Sequence, residues 1–124
     1  MTREPVRPKW LAKKNATANS TKQPHPLLTD IDRIIHEPAR LLLLAHLYVV
    51  ESADFLFLKN QTGMTFGNLS AHLNKLEAAG YITVEKTFIG KKPHTMLMLN
   101  QKGRSAFQKY VRTMKQVFDD LSEL

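Results

Sequence analysis

Residues 54–80, DFLFLKNQTGMTFGNLSAHLNKLEAAG, decide the fold, because they hold two helical signals with a sharp corner between them. Asp54 can cap a helix running from Phe55 to about Thr62, since its carboxylate can accept an orphan N–H of the first turn. Gly63 ends that helix, because only glycine enters the left-handed conformation of a C-terminal cap without steric cost. Met64 fills a very short turn, Thr65 can cap the next helix, and Gly80 ends that one after Ala79. Leu69, Leu73 and Leu76 share one face of this second helix and are expected in the core. Gly67, Asn68, Ala71, Asn74 and Lys75 fall on the opposite face, with Ser70 and His72 at its margins.

Upstream, Thr29 or Asp30 can cap a short helix carrying Ile31, Ile34 and Ile35 on one side. Pro38 then stands where proline is best tolerated, in the first turn of a helix whose body is Ala39 to Val50. That helix is apolar nearly all round and is expected to be central. His36 and His46 lack metal-ligand spacing and read as core-edge or surface residues. Ser52 and Ala53 form a short, extended stretch before Asp54.

Downstream of Gly80 the period changes from 3.6 to 2. Ile82, Val84, Lys86 and Phe88 alternate with Thr83, Glu85 and Thr87, which is strand behaviour. Gly90, Lys91, Lys92 and Pro93 break the run and Met96 to Leu99 resume it, giving a hairpin with a basic tip. Asn100 can cap a long C-terminal helix in which Phe107, Tyr110, Met114, Val117, Leu121 and Leu124 recur at intervals of three and four. Val111 and Phe118 widen the stripe. It exceeds what so small a domain can cover, so pairing with a second chain is expected, with Phe107, Tyr110, Met114, Val117, Phe118 and Leu121 as dimerisation residues.

A chain of 124 residues has room for one domain and a tail. Without cysteine it can form neither disulfides nor thiolate metal sites, and a reducing, cytoplasmic home is expected. No apolar stretch approaches the roughly 20 residues of a membrane span, and the basic, polar N-terminus does not resemble a secretory signal. The formal charge is +7, but residues 1–27 hold six Lys or Arg against one acid, while the other 97 residues hold twelve against ten. Most of the excess therefore lies in a segment rich in proline and small polar residues, read as a flexible basic arm over 1–27. Solubilising charge explains such an arm as well as a polyanionic partner does. The domain proper is expected over 28–124.

Two helices joined by a short glycine-ended turn match the helix-turn-helix signature, and an adjacent basic hairpin adds a wing. The run from Leu58 to Leu76, LKNQTGMTFGNLSAHLNKL, continued by EAAGYITVEKTFIGKKPHTMLMLNQKGRSAF, resembles winged-helix domains related to MarR- and ArsR-type bacterial regulators. The resemblance spans about residues 28–110. It implies an α+β, mostly helical fold: a winged helix-turn-helix with a two- or three-stranded antiparallel wing and a long C-terminal helix. It also implies a dimeric regulator of transcription, with repression the expected mode, whose third main helix enters the major groove of double-stranded DNA. The cysteine pairs of metal-sensing ArsR-like proteins are absent, so metal sensing does not carry over.

The residues support that reading independently. The outward face of the helix at about 65–79 is polar but hardly charged, unlike an ordinary solvated helix. Asn68 and Asn74 can pair with adenine, Lys75 and His72 can donate to guanine or phosphate, and Ala71 can meet a thymine methyl. Gly67 and Ala71 would let the helix axis come close, and Thr65 and Ser70 add hydroxyls. Lys91 and Lys92 at the wing tip, with Lys86 and His94 on its strands, suit phosphate contacts or a minor-groove visit, which carry little sequence information. An enzyme is not expected, since no nucleophile context, phosphate-cradling glycine loop or cofactor motif is present. The competing reading is a winged helix used for protein contact alone, which would need apolar or acidic residues where Asn68, Asn74 and Lys75 stand.

Overall fold

Pro26 and Pro38 each open a helix, because the missing N–H is one the first turn leaves unpaired anyway. The computed structural model describes residues 25–124, which fall into two compact units: 32–108, and 25–31 with 109–124. All but the last three residues of the predicted arm lie outside the described residues. Those three belong with helix α1 (Pro26–Thr29), where the ring of His25 accepts from the Leu27 N–H.

The helix expected over Ile31 to Ile35 does not form. Asp30 ends α1 rather than starting a helix, and Thr29 donates its hydroxyl back to the Pro26 carbonyl at 2.7 Å. Asp32 then folds its carboxylate onto the N–H groups of Ile34 and Ile35, at 2.9 and 3.2 Å. That local bond competes with a helical ladder, and Pro38 disfavours helical geometry at Glu37. The result is a turn that still buries Ile35 completely.

Helix α2 (Pro38–Val50) follows, with Glu37 accepting from the Arg40 N–H at 2.9 Å. Leu43, Leu44 and Leu47 are wholly buried, but Leu42, Val49 and Val50 are exposed, so α2 is central on one side only. Glu51 ends it at φ 69°, a left-handed value rarely taken by a residue with a Cβ, and turns the chain into β1 (Ser52–Asp54).

Asp54 accepts from the Phe57 N–H and opens α3 (Phe55–Thr62), which Gly63 closes at φ 70°. Thr65 accepts from the Asn68 N–H at 3.2 Å and opens α4 (Phe66–Ala78). Strands β2 (Ile82–Ile89) and β3 (Lys92–Leu99) form an antiparallel hairpin, and β1 pairs with Met96, Leu97 and Met98 on the far side of β3. The sheet order is β1-β3-β2, the three-stranded form of the expected wing. Pro93 is tolerated in the middle strand because β1 does not reach it.

Asn100 caps α5 (Gln101–Ser122) by accepting from the Gly103 N–H at 2.8 Å, while its amide donates to the Gly80 carbonyl at 2.8 Å. A Cβ on Gly103 would run into the Tyr81 carbonyl, so the start of α5 touches the chain leaving α4 at a place only glycine permits. Phe107 packs against Tyr48 of α2 with ring centroids 5.1 Å apart. Within the other unit, His25 and Asp120 pair at 2.7 Å, and the hydrogen bond from His25 holds the Asp120 carboxyl below the usual range.

Candidate nucleic-acid interface

Leu69, Leu73 and Leu76 seat α4, and all three are buried as their spacing requires. The opposite side is open: Gly67, Asn68, Ala71, Asn74 and Lys75 are exposed, and Ser70 is half-buried at the edge. Nothing lies within 4 Å of where a Gly67 Cβ would stand, so the helix is smooth at that point and another surface can approach its backbone. Thr65 is exposed, but its hydroxyl oxygen already accepts from Asn68, which leaves its proton for a partner.

His72 is placed differently from the rest. Its Nδ1 lies 3.3 Å from the Arg40 guanidinium and 3.6 Å from the Glu37 carboxylate, so the ring faces α2 as much as solvent. Arg40 is nearly buried and donates from Nε to the Ile34 carbonyl at 2.6 Å. Burial pushes the Glu37 carboxyl up, but the N–H groups of Arg40 and Ala39 and the nearby charges of His72 and Arg40 outweigh it and hold the group below its ordinary value. This network ties the 33–37 turn, α2 and α4 together. Sequence reasoning missed Arg40, which sits at the start of an apparently all-apolar helix.

A second tie was also unforeseen. The Tyr81 hydroxyl, just past α4, donates to the other oxygen of Asp32, and Lys102 lies 5.7 Å from the centre of its ring. Burial, then the bond and charge of Asp32, push the Tyr81 hydroxyl up to about 12. Asp32 thus shapes the turn before α2 with one oxygen and anchors the exit from α4 with the other. No periodic pattern could reveal this, since the two residues are 49 positions apart.

The hairpin carries the remaining predicted residues. Gly90 at φ 64° begins a two-residue turn with Lys91, the geometry that lets a tight hairpin keep the right-handed strand twist. Lys91 and Lys92 are exposed at that tip. Lys86 pairs with Thr95 and His94 with Thr87, so the register sends Lys86 and His94 to opposite faces of the hairpin. Lys86 is exposed, whereas His94 is half-buried with Nε2 3.2 Å from the Met96 sulfur. A groove of about 740 Å³ separates the flank of α4, at Phe66, Ser70 and Asn74, from Val84, Lys86 and Thr95 of the hairpin. Of the outward α4 residues Asn74 lines this groove, beside Ser70 at the margin, and Lys86 is its cationic residue on the hairpin side.

The stripe on α5 divides into two. Phe107, Tyr110 and Val117 are buried within the chain, Val117 to 1% exposure, while Phe118 is 61% exposed and Leu121 44%. Met114 is half-buried and Val111 exposed. Among the described residues no helix is long and apolar enough to cross a membrane, and no three His, Asp or Glu side chains gather as metal ligands would.

A family model described as a winged helix DNA-binding domain matches residues 39–118. An uncharacterized protein of Methanocaldococcus jannaschii is 35% identical over 85 residues, covering 68% of this chain and 92% of that protein. The solved transcriptional regulator homologue of Pyrococcus horikoshii OT3 aligns with a TM-score of 0.72 at 27% identity, over 77% of this chain and 96% of that one. An ArsR family transcriptional regulator, RHA00566, shares the fold at a TM-score of 0.52 and 18% identity, over 78% of this chain and 95% of its own. The winged-helix resemblance read from residues 58–107 is thereby borne out.

Proposed function

Because the chain belongs to the winged helix DNA-binding domain family, we propose that it regulates transcription as a homodimer that reads DNA sequence, acting as a repressor. In this reading α4 lies in the major groove, and the hairpin contacts the flanking backbone through Lys86, Lys91 and Lys92. The observation that carries it is the outward face of α4. Asn68, Ala71, Asn74 and Lys75 are all exposed, nearly uncharged, and free of a structural task that would explain their types. Asn offers a donor and an acceptor in the spacing adenine presents, and small Ala71 and Gly67 allow the close approach such pairing needs. His72, engaged by Arg40 and Glu37, serves mainly to fix the helix that carries these groups.

The dimer follows from the divided stripe on α5. Phe107, Tyr110 and Val117 are already covered, which leaves Val111, Met114, Phe118 and Leu121 spaced three, four and three apart on the accessible side. That is the spacing of a two-helix seam, and each side chain fully buried there contributes about 1.5–3 kcal/mol before the cost of association. A two-fold dimer presents two copies of α4 to a palindromic site.

The test is a mobility-shift titration on a duplex that the wild type selects from a random pool. Asn68→Ala and Lys75→Ala are each expected to weaken binding by roughly 1–3 kcal/mol while leaving thermal unfolding unchanged. Wild-type affinity in both variants would remove α4 from the role of reader.

A further inference from the structure

The sheet has a second face, turned away from the buried Ile82 and Leu97. Its register sets His94, Met96 and Met98 of β3 on that face, beside Thr87, Glu85 and Thr83 of β2 and Ser52 and Asp54 of β1. Strand β2 builds its share as a solvent-facing strand does, from threonines and a glutamate. Strand β3 builds its share from a histidine and two methionines, all half-buried. Methionine is not a favoured strand residue, and branched side chains would cover a half-open sheet as well. What His94, Met96 and Met98 have in common is a neutral donor atom, an imidazole nitrogen or a thioether sulfur.

Two of these donors already meet, with the His94 Nε2 3.2 Å from the Met96 sulfur. As a hydrogen bond the contact is poor, because a thioether is a weak acceptor and the Glu85 carboxylate, a far stronger one, stands directly across from Met96. We propose that His94 and Met96, with Met98 as the further thioether on that face, bind Cu(I), a soft monovalent cation. The site does not rest on the DNA-reading role of α4. The donor set chooses the metal: thioether sulfur suits Cu(I), whereas structural zinc sites are built from four thiolate, imidazole or carboxylate ligands. Among the described residues no three His, Asp or Glu side chains gather, and it is sulfur that completes this set. Asp54 and Glu85 stand opposite Met96 on its two sides, at about 4.5–5.5 Å between Cβ atoms, so their charges offset that of an ion held by neutral ligands. Rotation about the flexible bonds of Met96 opens room for the ion between sulfur and nitrogen without moving the strand.

The experiment titrates the full chain, isotope-labelled at its methionine methyl groups and histidine rings, with Ag(I), a redox-inert stand-in for Cu(I). Cu(I) itself is then titrated without oxygen against bicinchoninate, a competing chelator. Ag(I) is expected to shift the Met96 methyl and the His94 ring together, ahead of Met1, Met64, Met114 and the other histidines. Zn(II) should move neither. Met96→Leu keeps the apolar bulk and should leave thermal unfolding unchanged, while weakening Cu(I) binding roughly ten-fold or more, and His94→Gln should weaken it as much. Met98→Leu should cost less. Wild-type Cu(I) affinity in both Met96→Leu and His94→Gln overturns the proposal. Shifts confined to methionines and histidines elsewhere overturn it too, as adventitious binding by scattered donors. Zn(II) binding at His94 as tightly as Cu(I) does would also overturn it, since sulfur would then have no part in choosing the ion.

Discussion

Helices α4 and α5 both carry apolar residues at intervals of three and four, but the fold uses the two stripes differently. In α4 the stripe is narrow, and all of it, Leu69, Leu73 and Leu76, is buried within the chain. What faces outward is polar and small. In α5 the stripe is wide, and the chain covers one side of it, leaving Val111, Phe118 and Leu121 exposed. A helix whose apolar demand is met internally can offer polar chemistry to a partner, whereas one whose demand is unmet seeks another apolar surface. On the proposed function, one helix type would supply both a reading surface and a pairing surface, distinguished only by stripe width.

The largest effect should come from breaking the buried half of α4. Leu69→Ala leaves a cavity at a wholly buried position and is expected to cost roughly 2–5 kcal/mol in denaturant unfolding, against little for the neighbouring Asn68→Ala. Equal losses from the two would mean that the outward face is structural after all. On α5 the same contrast runs between adjacent residues. Val117→Ala is expected to lower stability by about 0.5–3 kcal/mol and leave the sedimentation coefficient alone. Phe118→Glu puts an unpaired charge into the proposed seam and is expected to give monomers at micromolar concentration. A Phe118→Glu protein that sediments like the wild type would move the pairing surface elsewhere.

A smaller effect tests what holds α4 in place. The Tyr81 hydroxyl is pushed up to about 12 in the folded chain, above the roughly 10 of a free tyrosine. Its contribution to stability is therefore complete below the unfolded value and fades as pH rises through the folded one. Tyr81→Phe is expected to cost about 1 kcal/mol at neutral pH and to remove that alkaline dependence. Identical alkaline unfolding of the two proteins would show that the bond to Asp32 contributes nothing.

Much of this was legible in the chain because it depends on local rules. Asp54, Thr65 and Asn100 cap the helices they were expected to cap, Gly63 and Gly80 end theirs, and the switch from a period of 3.6 to 2 after Gly80 marks the hairpin. What escaped was set by distant partners or by competition between local bonds. Asp32 diverted the Ile31–Ile35 stretch from a helix to a turn, because a short carboxylate satisfied the N–H groups first. Arg40 and Tyr81 acquired meaning only through His72 and Asp32, which the fold brings to them. The stripe on α5 announced apolar contact, yet nothing in its spacing could divide the part its own chain covers from the part left over. At the wing, alternation put Phe88 on the face of Ile82 without saying that the body ends before it.

If two copies of α4 read DNA as a symmetric pair, the duplexes that the wild-type protein selects from a random pool will carry that symmetry. The enriched sequences are expected to form an inverted repeat, with half-site centres about one helical turn, or 10 base pairs, apart or a multiple of that. Enrichment of a single unrepeated half-site would contradict the pairing through α5, and a pool left without any enriched sequence would contradict the reading by α4.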